Sequence, residues 1–224
     1  MPQKTIFLNP LAKLVDLYRQ IKALPQLQEE AKNNRIYREW EAREFAPPSP
    51  GPIKQKVLIR NGSANAIWVE TGTYLGETTE LLSRYAKRVI SIEPEPTLFQ
   101  NAQAKFSTYS NVEIIQGVSE DIFPNLLPTL SGDINFWLDG HSSLGNTFSG
   151  PLDTPIAEEL KNISENQNRF GKISILVDDI RHFKGQIVHY GAYPRLEFLV
   201  DWAQKNGFEW HIEHDIFIAK NYSL

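Results

Sequence analysis

The chain has 224 residues, enough for one domain of ordinary size, and its 41% hydrophobic and 22% charged residues are typical of a globular protein. Its formal net charge of −4 argues against a general attraction to nucleic acid. The absence of cysteine excludes disulfides, thiolate metal sites and a cysteine nucleophile. Because no segment has the pattern of a signal peptide or a membrane span, we expect a cytoplasmic protein that does not bind membranes.

Residues 1–52 predict a helical N-terminal extension that ends in a proline-rich connector. Hydrophobic residues recur at helical spacing near its start, and Pro25 is expected to end or kink the helix. The run Pro47–Pro52 predicts a stiff connector without regular structure. The extension has two possible roles. It is either a lid whose Tyr37 and Trp40 cover a bound substrate, or an arm that docks on a second subunit of a homo-oligomer.

From residue 53 to 224, alternating strand and helix patterns predict an α/β domain. Strands rich in Val, Ile and aromatic residues are predicted at 66–71, 88–93, 112–117, 134–139 and 173–178. Helices are predicted at 77–87, 95–107, 119–130, 153–168 and 194–206. The segment 209–219 has the pattern of two strands with no helix between them. The elements together predict a Rossmann-like, doubly wound sheet of seven strands, closed by a C-terminal antiparallel hairpin.

A glycine turn between the first two strands is the main candidate for a nucleotide-binding site. Gly72 allows a sharp turn after the strand, and Gly76 lets the next helix lie close to a ligand. Glu93, at the end of the second strand, can accept hydrogen bonds from both hydroxyls of a ribose. The turn carries Glu70 and Glu77 and no basic residue, so it suits a sulfonium and an ammonium group better than a pyrophosphate. The pattern therefore favours S-adenosylmethionine over NAD or ATP. The alternative for Glu70 is a structural role, in which its carboxylate caps the turn and forms a salt bridge.

Acidic residues end the fourth and fifth strands, and histidines follow them. Asp139, Asp178 and Asp179 should meet at the carboxyl edge of the sheet, where converging carboxylates need a cation or protons. Oxygen ligands favour Mg²⁺ or another hard divalent cation, which would lower the pKa of a substrate hydroxyl. His141 and His182 are the candidate bases. The alternatives are an aspartate pair that caps the turn after the fifth strand, and histidines that are surface residues.

These motifs resemble those of the class I S-adenosylmethionine-dependent methyltransferases, and within that class the metal-dependent O-methyltransferases of the catechol type. The resemblance covers roughly residues 66–179, about half of the chain. The chain also looks like a group of bacterial methyltransferase-like proteins of unassigned substrate that share the motifs VETGTYLG, FWLDGH and DD-x-R-x-F.

The resemblance assigns a role to each motif. VETGTYLGETT resembles the first cofactor motif, ISIEPEP the ribose-binding strand end, and IQGVSEDIFPNL the segment that holds the adenine. The cofactor residues that it implies are Glu70, Gly72, Thr73, Tyr74, Gly76, Thr78, Glu93, Ser119 and Glu120. NFWLDGHSS resembles the segment whose aspartate, Asp139 here, binds both the metal and the methionine side of the cofactor, and ILVDDIRHF puts Asp178 and Asp179 on the metal.

The chain differs from the catechol enzyme at two positions: the lysine base is replaced by Ser142, and the asparagine metal ligand by Asp179. The resulting interpretation is a methyltransferase that moves a methyl group from S-adenosylmethionine to oxygen on a small molecule, a sugar or a secondary metabolite, with help from a divalent metal. Nucleic acid is not expected as a partner. The alternatives are a metal-independent methyltransferase with a histidine base and a non-catalytic nucleotide-binding module.

Overall fold

A computed structural model describes residues 10–140, 154–185, 187–188 and 191–223. The chain divides into two compact units, Met1–Ala46 and Pro47–Leu224. Among the helices of these ranges, none combines the length and the apolar character that a membrane crossing requires.

The described part of the N-terminal unit is dominated by one long helix, α1 (Pro10–Glu41). The helix continues through Pro25, so the prediction that this proline ends it is wrong. A proline removes one backbone hydrogen bond, but long helical stretches on both sides keep the helix formed. At its end, the rings of Tyr37, Trp40 and Phe45 pack together with centroids 5.1–6.4 Å apart. The indole of Trp40 also donates a hydrogen bond to the carbonyl oxygen of Ala46 over 2.9 Å.

The second unit begins with a helix that the sequence analysis did not predict, α2 (Gly51–Asn61). Part of the predicted irregular connector is therefore helical, which corrects that prediction. The reason is local: Pro52 lies in the first turn of the helix, where a missing backbone N–H costs no intrahelical bond. Val57 and Leu58 are buried and fix α2 against the sheet.

The main sheet contains seven strands: β1 (Ile67–Thr71), β2 (Arg88–Glu93), β3 (Val112–Gln116), β4 (Gly132–Leu138), β5 (Phe170–Val177), β8 (Glu209–Glu213) and β9 (Ile216–Lys220). A separate pair is formed by β6 (Ile187–Val188) and β7 (Gly191–Ala192). The strand order in the main sheet is β3-β2-β1-β4-β5-β9-β8. The first five strands are parallel, and β9 is antiparallel to both β5 and β8. This topology confirms the predicted Rossmann-like, doubly wound sheet with a C-terminal antiparallel hairpin.

Helices cover both faces of this sheet. They are α3 (Glu77–Ser83), α4 (Pro96–Lys105), α5 (Ser119–Leu126), α6 (Ile156–Asn166) and α7 (Leu196–Lys205). Each is shorter than predicted, and tight 3-10 turns follow α5 and α6. Neighbouring residues of a strand point to opposite faces, so Val69 packs into one hydrophobic core and Trp68 into the other.

Candidate cofactor and acceptor site

The carboxyl ends of four parallel strands meet at one edge of the sheet, around the point where the strand order reverses. The backbone ladder continues past β1 and β4, since the amide of Asp139 donates to Thr71 over 3.2 Å and the amide of Asp178 donates to Leu138 over 3.1 Å. In open α/β sheets this edge forms the ligand crevice. The fold therefore brings the predicted acids of β4 and β5 next to the predicted glycine turn.

The glycine turn is pressed against the end of β4. Gly72 has φ +87° and its amide donates to Ile92 over 3.0 Å, while a Cβ at this position would lie 2.8 Å from the carbonyl oxygen of Asp139. Only glycine fits both the conformation and the space. Gly76 has φ +71°, and a Cβ there would lie 2.7 Å from the ring of Phe106. Its small size thus makes room for Phe106, which the sequence analysis did not foresee.

Glu93 lies at the end of β2 with its carboxylate held by backbone amides. The amide of Tyr74 donates to Oε2 over 2.8 Å, and the amide of Glu95 donates to Oε1 over 3.0 Å. Tyr74 reaches this position with a φ of 49°, and its ring is exposed. Because a carboxylate oxygen has more than one acceptor position, each oxygen of Glu93 can still accept a second hydrogen bond from a ligand hydroxyl.

Glu70 is fully buried below the turn, within a cluster of hydroxyl groups. Its Oε2 accepts hydrogen bonds from Thr79 over 2.5 Å and from Ser91 over 2.6 Å, and Ser91 is 2.6 Å from the hydroxyl of Thr73. Burial raises the pKa of Glu70 to about 7. Thr78, the hydroxyl residue singled out by the sequence, lies half-buried in the first turn of α3, and the donor to Glu70 is its neighbour Thr79.

Ser119 and Glu120 begin α5 and connect it to a buried acid of α6. The hydroxyl of Ser119 donates to Glu159 over 2.6 Å and lies 3.4 Å from Glu120. Glu159 is fully buried, and burial is the largest of the causes that raise its pKa to about 7. Glu159 is not among the predicted site residues. Its signal was an acid on the apolar face of α6, one turn from Ile156 and next to Leu160.

A small cleft opens between the ends of β4 and β5. Its lining combines three acids with aromatic and small residues: Leu138, Asp139, Gly140, Thr154, Ile156, Glu159, Val177, Asp178, Phe183 and Tyr193. Carboxyl groups from both strand ends and from α6 therefore face one space. Such a lining favours a cationic ligand group over an anionic one.

Lys54 of α2 lies among the predicted metal ligands. One carboxylate oxygen from each of Asp139, Asp178 and Asp179 lies within 4.8 Å of the others. The ammonium of Lys54 is 2.5 Å from Oδ2 of Asp178 and 2.8 Å from Oδ1 of Asp179. A magnesium ion needs oxygen ligands at about 2.1 Å in near-octahedral geometry. Because the ammonium of Lys54 already bonds to two of the three aspartates, this arrangement of side chains does not fit the ion.

Three aspartates at and near the cluster pair with two cations, Lys54 and Arg181. Arg181 holds Asp179 through both of its carboxylate oxygens and also pairs with the buried Asp215. Burial raises the pKa of Asp178 well above its ordinary value, and the charge of Asp139 adds to this shift. Burial also opposes the charge of Lys54, but its two aspartate partners outweigh that effect and raise its pKa.

Of the candidate bases, only His182 lies within the described part of the chain. It ends a 3-10 turn (Ile180–His182) that follows β5, its amide donates to Asp179 over 2.9 Å, and its ring centroid is 5.7 Å from that of Tyr193. His141 and Ser142 lie outside the described residues. A role as base stays a prediction for both histidines.

The chain is similar to known proteins over part of its length. No family model matches the chain. It is 33% identical over 81 residues to the "Probable ribosomal RNA small subunit methyltransferase A" of Methanosarcina mazei (33% of this chain, 30% of the relative). It is 32% identical over 96 residues to the protein of that name from Methanosarcina acetivorans (39% and 36%). The chain thus spans about a third of the length of these relatives.

Among solved structures, the chain is similar to SMU.1697c of Streptococcus mutans, described as a putative methyltransferase in complex with SAH. The identity is 16%, the TM-score is 0.46, and the match covers 78% of this chain and 97% of that one. The protein has the fold of class I S-adenosylmethionine-dependent methyltransferases. The order of the seven strands carries this statement of the fold. The resemblance to catechol-type enzymes and the O-methylation stay predictions.

The prediction of a small-molecule acceptor and no nucleic-acid partner is wrong by this comparison, because the curated relatives are named as ribosomal RNA methyltransferases. The net charge of the whole chain, on which that prediction rested, does not report how charge is distributed. Residues 1–46 carry 8 basic and 6 acidic residues, a net charge of +2, while residues 47–224 carry 15 and 21, a net charge of −6. A whole-chain value of −4 therefore does not exclude an RNA substrate.

Proposed function

We propose that the protein is an S-adenosylmethionine-dependent methyltransferase whose cofactor lies over the glycine turn, with its ribose hydroxyls on Glu93. The observation that carries the proposal is the position of the Glu93 carboxylate, which two backbone amides hold at the end of β2 beside the turn that begins at Gly72. A carboxylate fixed in this way does not have to be ordered when a ligand binds, so its two acceptors are preorganised.

The charge of the crevice supports the choice of cofactor. Glu93 lies beside the turn, and Asp139 lines the adjacent cleft. S-Adenosylmethionine carries a sulfonium and an ammonium group, whereas a dinucleotide carries a pyrophosphate that these acids repel. This proposal includes the remaining predicted cofactor contacts, which are those of Thr73, Gly76, Thr78, Ser119 and Glu120. It also includes the predicted division into an extension (1–52) and a methyltransferase domain (53–224).

The cofactor part is tested by isothermal titration calorimetry with S-adenosylhomocysteine. Glu93→Gln keeps the size of the side chain but replaces one acceptor oxygen by an amide donor, and the loss of a charge-assisted hydrogen bond should weaken binding by about tenfold or more. The matched control is Glu209→Gln, at an exposed position where β8 begins at the opposite edge of the sheet. Equal affinity for the wild type and Glu93→Gln contradicts this placement of the ribose.

The acceptor in this proposal is RNA, which the names of the curated relatives support. Transfer of a tritiated methyl group from S-adenosylmethionine should label RNA of small ribosomal subunits, and nuclease treatment before the reaction should abolish the label. Binding of S-adenosylhomocysteine without transfer to any RNA would reject this acceptor and leave the cofactor assignment intact.

The atom that receives the methyl group is tested in the same experiment. Oxygen remains the predicted atom, and a ribose hydroxyl of RNA would provide it. Digestion of the labelled RNA to nucleosides, followed by mass spectrometry, distinguishes a 2′-O-methyl nucleoside from a base methylated on nitrogen. The second result would refute O-methylation.

A further inference from the structure

The acidic cluster at the ends of β4 and β5 already contains a cation of the protein's own. We propose that the ammonium group of Lys54 occupies the place of a divalent metal among Asp139, Asp178 and Asp179, so that the wild-type protein does not bind Mg²⁺ or Mn²⁺ at this cluster. The resemblance to metal-dependent methyltransferases predicts the opposite, and the difference is caused by one side chain from α2.

The contact geometry carries the first step. The ammonium bridges the two adjacent aspartates, at 2.5 Å from one and 2.8 Å from the other. The side chain of Lys54 is 18% exposed, and those of Asp178 and Asp179 are 3% and 7% exposed. A divalent ion would have to displace a buried, hydrogen-bonded ammonium group, and the displaced charge would then lie next to the ion. Both effects oppose metal binding.

The packing of α2 carries the second step, because it determines where Lys54 lies. Val57 and Leu58 are buried in the same hydrophobic core as Trp137 of β4 and Leu176 of β5. These strand residues lie two positions before Asp139 and Asp178 in the chain. The helix that carries Lys54 and the strands that carry the acids therefore share one packed core, and the ammonium does not depend on a loop for its position.

The end of α2 is held as well. The side chain of Asn61 donates to Glu213 over 2.9 Å and accepts from the buried ammonium of Lys220 over 2.9 Å. Its carbonyl oxygen accepts a hydrogen bond from Ser174 of β5 over 2.9 Å. With both its apolar face and its last residue fixed, α2 cannot withdraw Lys54 from the cluster without breaking these contacts.

Charge around the cluster carries the third step. Within the described residues, four aspartates (Asp139, Asp178, Asp179 and Asp215) are close to two basic side chains, Lys54 and Arg181. Removing Lys54 takes away one of the two positive charges and leaves the carboxylates of Asp139, Asp178 and Asp179 around the vacated space, with Arg181 still on Asp179. Oxygen ligands in this number suit a hard divalent ion with waters completing its shell. Loss of the lysine should therefore create a metal site where the wild type has none.

The test measures Mn²⁺ binding through the electron paramagnetic resonance signal of the free ion. The wild type should bind no Mn²⁺ at this cluster, and Lys54→Ala should bind one ion per chain, on the order of tenfold or more tightly than any residual binding by the wild type. The double variant Lys54→Ala with Asp178→Asn should lose that ion. Lys56→Ala is the matched control, since Lys56 lies exposed on the same helix, and it should behave like the wild type.

Two results would overturn the proposal. One is a wild-type protein that binds one Mn²⁺ which Asp178→Asn removes; the other is a folded Lys54→Ala variant that gains no affinity. Circular dichroism checks folding, and Lys54→Met, which keeps the apolar stem of the side chain, replaces the alanine variant if that one does not fold. None of these outcomes depends on whether the protein transfers methyl groups.

Discussion

Glu159 provides a quantitative test of the electrostatics of the cleft, because it is a buried acid whose pKa is raised to about 7. Burial is the main reason that its pKa rises from 4.5 to about 7, and the charges of Glu120 and Asp139 act in the same direction. When the folded-state pKa of an acid lies above its unfolded value, the folded chain binds more protons between the two values. The stabilisation is then complete below the unfolded pKa and is lost as the pH rises through the folded pKa.

The size of the effect follows from these two pKa values. A carboxyl group that changes from 4.5 to about 7 on folding lowers the free energy of unfolding by about 2 kcal/mol between about pH 5.5 and about pH 8. Glu159→Gln removes this contribution, while its amide oxygen can still accept the hydrogen bond of Ser119. We therefore expect the free energy of unfolding of Glu159→Gln, relative to that of the wild type, to rise by about 2 kcal/mol between about pH 5.5 and about pH 8.

Urea denaturation at the two pH values measures the difference. Glu158→Gln is the control, because Glu158 is the preceding residue of the same helix and pairs at the surface with Lys161. It should leave the pH dependence of the wild type unchanged. If Glu159→Gln and the wild type lose stability in parallel between the two pH values, burial does not keep Glu159 protonated and the account of the cleft is wrong.

Two further predictions concern the turn after β1 and are measured by urea denaturation. Gly72→Ala should destabilise the fold by about 2–4 kcal/mol, because Gly72 has a positive φ and the new Cβ would lie 2.8 Å from the carbonyl oxygen of Asp139. Gly132→Ala is the control: Gly132 also has a positive φ, +92°, but open space surrounds it, so the substitution should cost only about 1 kcal/mol. Equal costs would refute the steric part of the argument. Thr79→Val should cost about 1–3 kcal/mol because it removes a donor from the buried Glu70, whereas Thr78→Val should change stability by less than about 0.5 kcal/mol. A larger loss of stability for Thr78→Val than for Thr79→Val would show that Thr79 is not the threonine that supports Glu70.

The sheet could be predicted from the sequence because its signals are local. Each parallel strand is a short run of β-branched and aromatic residues, and the pair of strands at the end of the chain follows α7 without a further helix. Glu93, Asp139 and Asp178 were found for the same reason, since each directly ends or follows such a strand. Helix lengths were overestimated because the last turn of a helix and a following 3-10 turn have similar sequence patterns.

The parts of the site that the sequence did not predict depend on contacts between distant residues. Lys54 meets Asp178 across 124 positions of the chain, and the proline-rich segment before it concealed the start of α2. Glu159 was missed because one acid on an apolar helix face is also consistent with a surface position. Arg181 pairs with Asp215, which lies 34 positions further along the chain. Local spacing contains no information about such pairings.

The claim on which the account depends is that the acidic crevice beside Gly72 and Glu93 binds S-adenosylmethionine. Equilibrium dialysis of the wild-type protein against S-adenosylhomocysteine and, separately, against NADH tests it most directly. We expect the protein to retain S-adenosylhomocysteine and to leave NADH at equal concentration on both sides of the membrane. Retention of NADH together with free passage of S-adenosylhomocysteine would contradict the account.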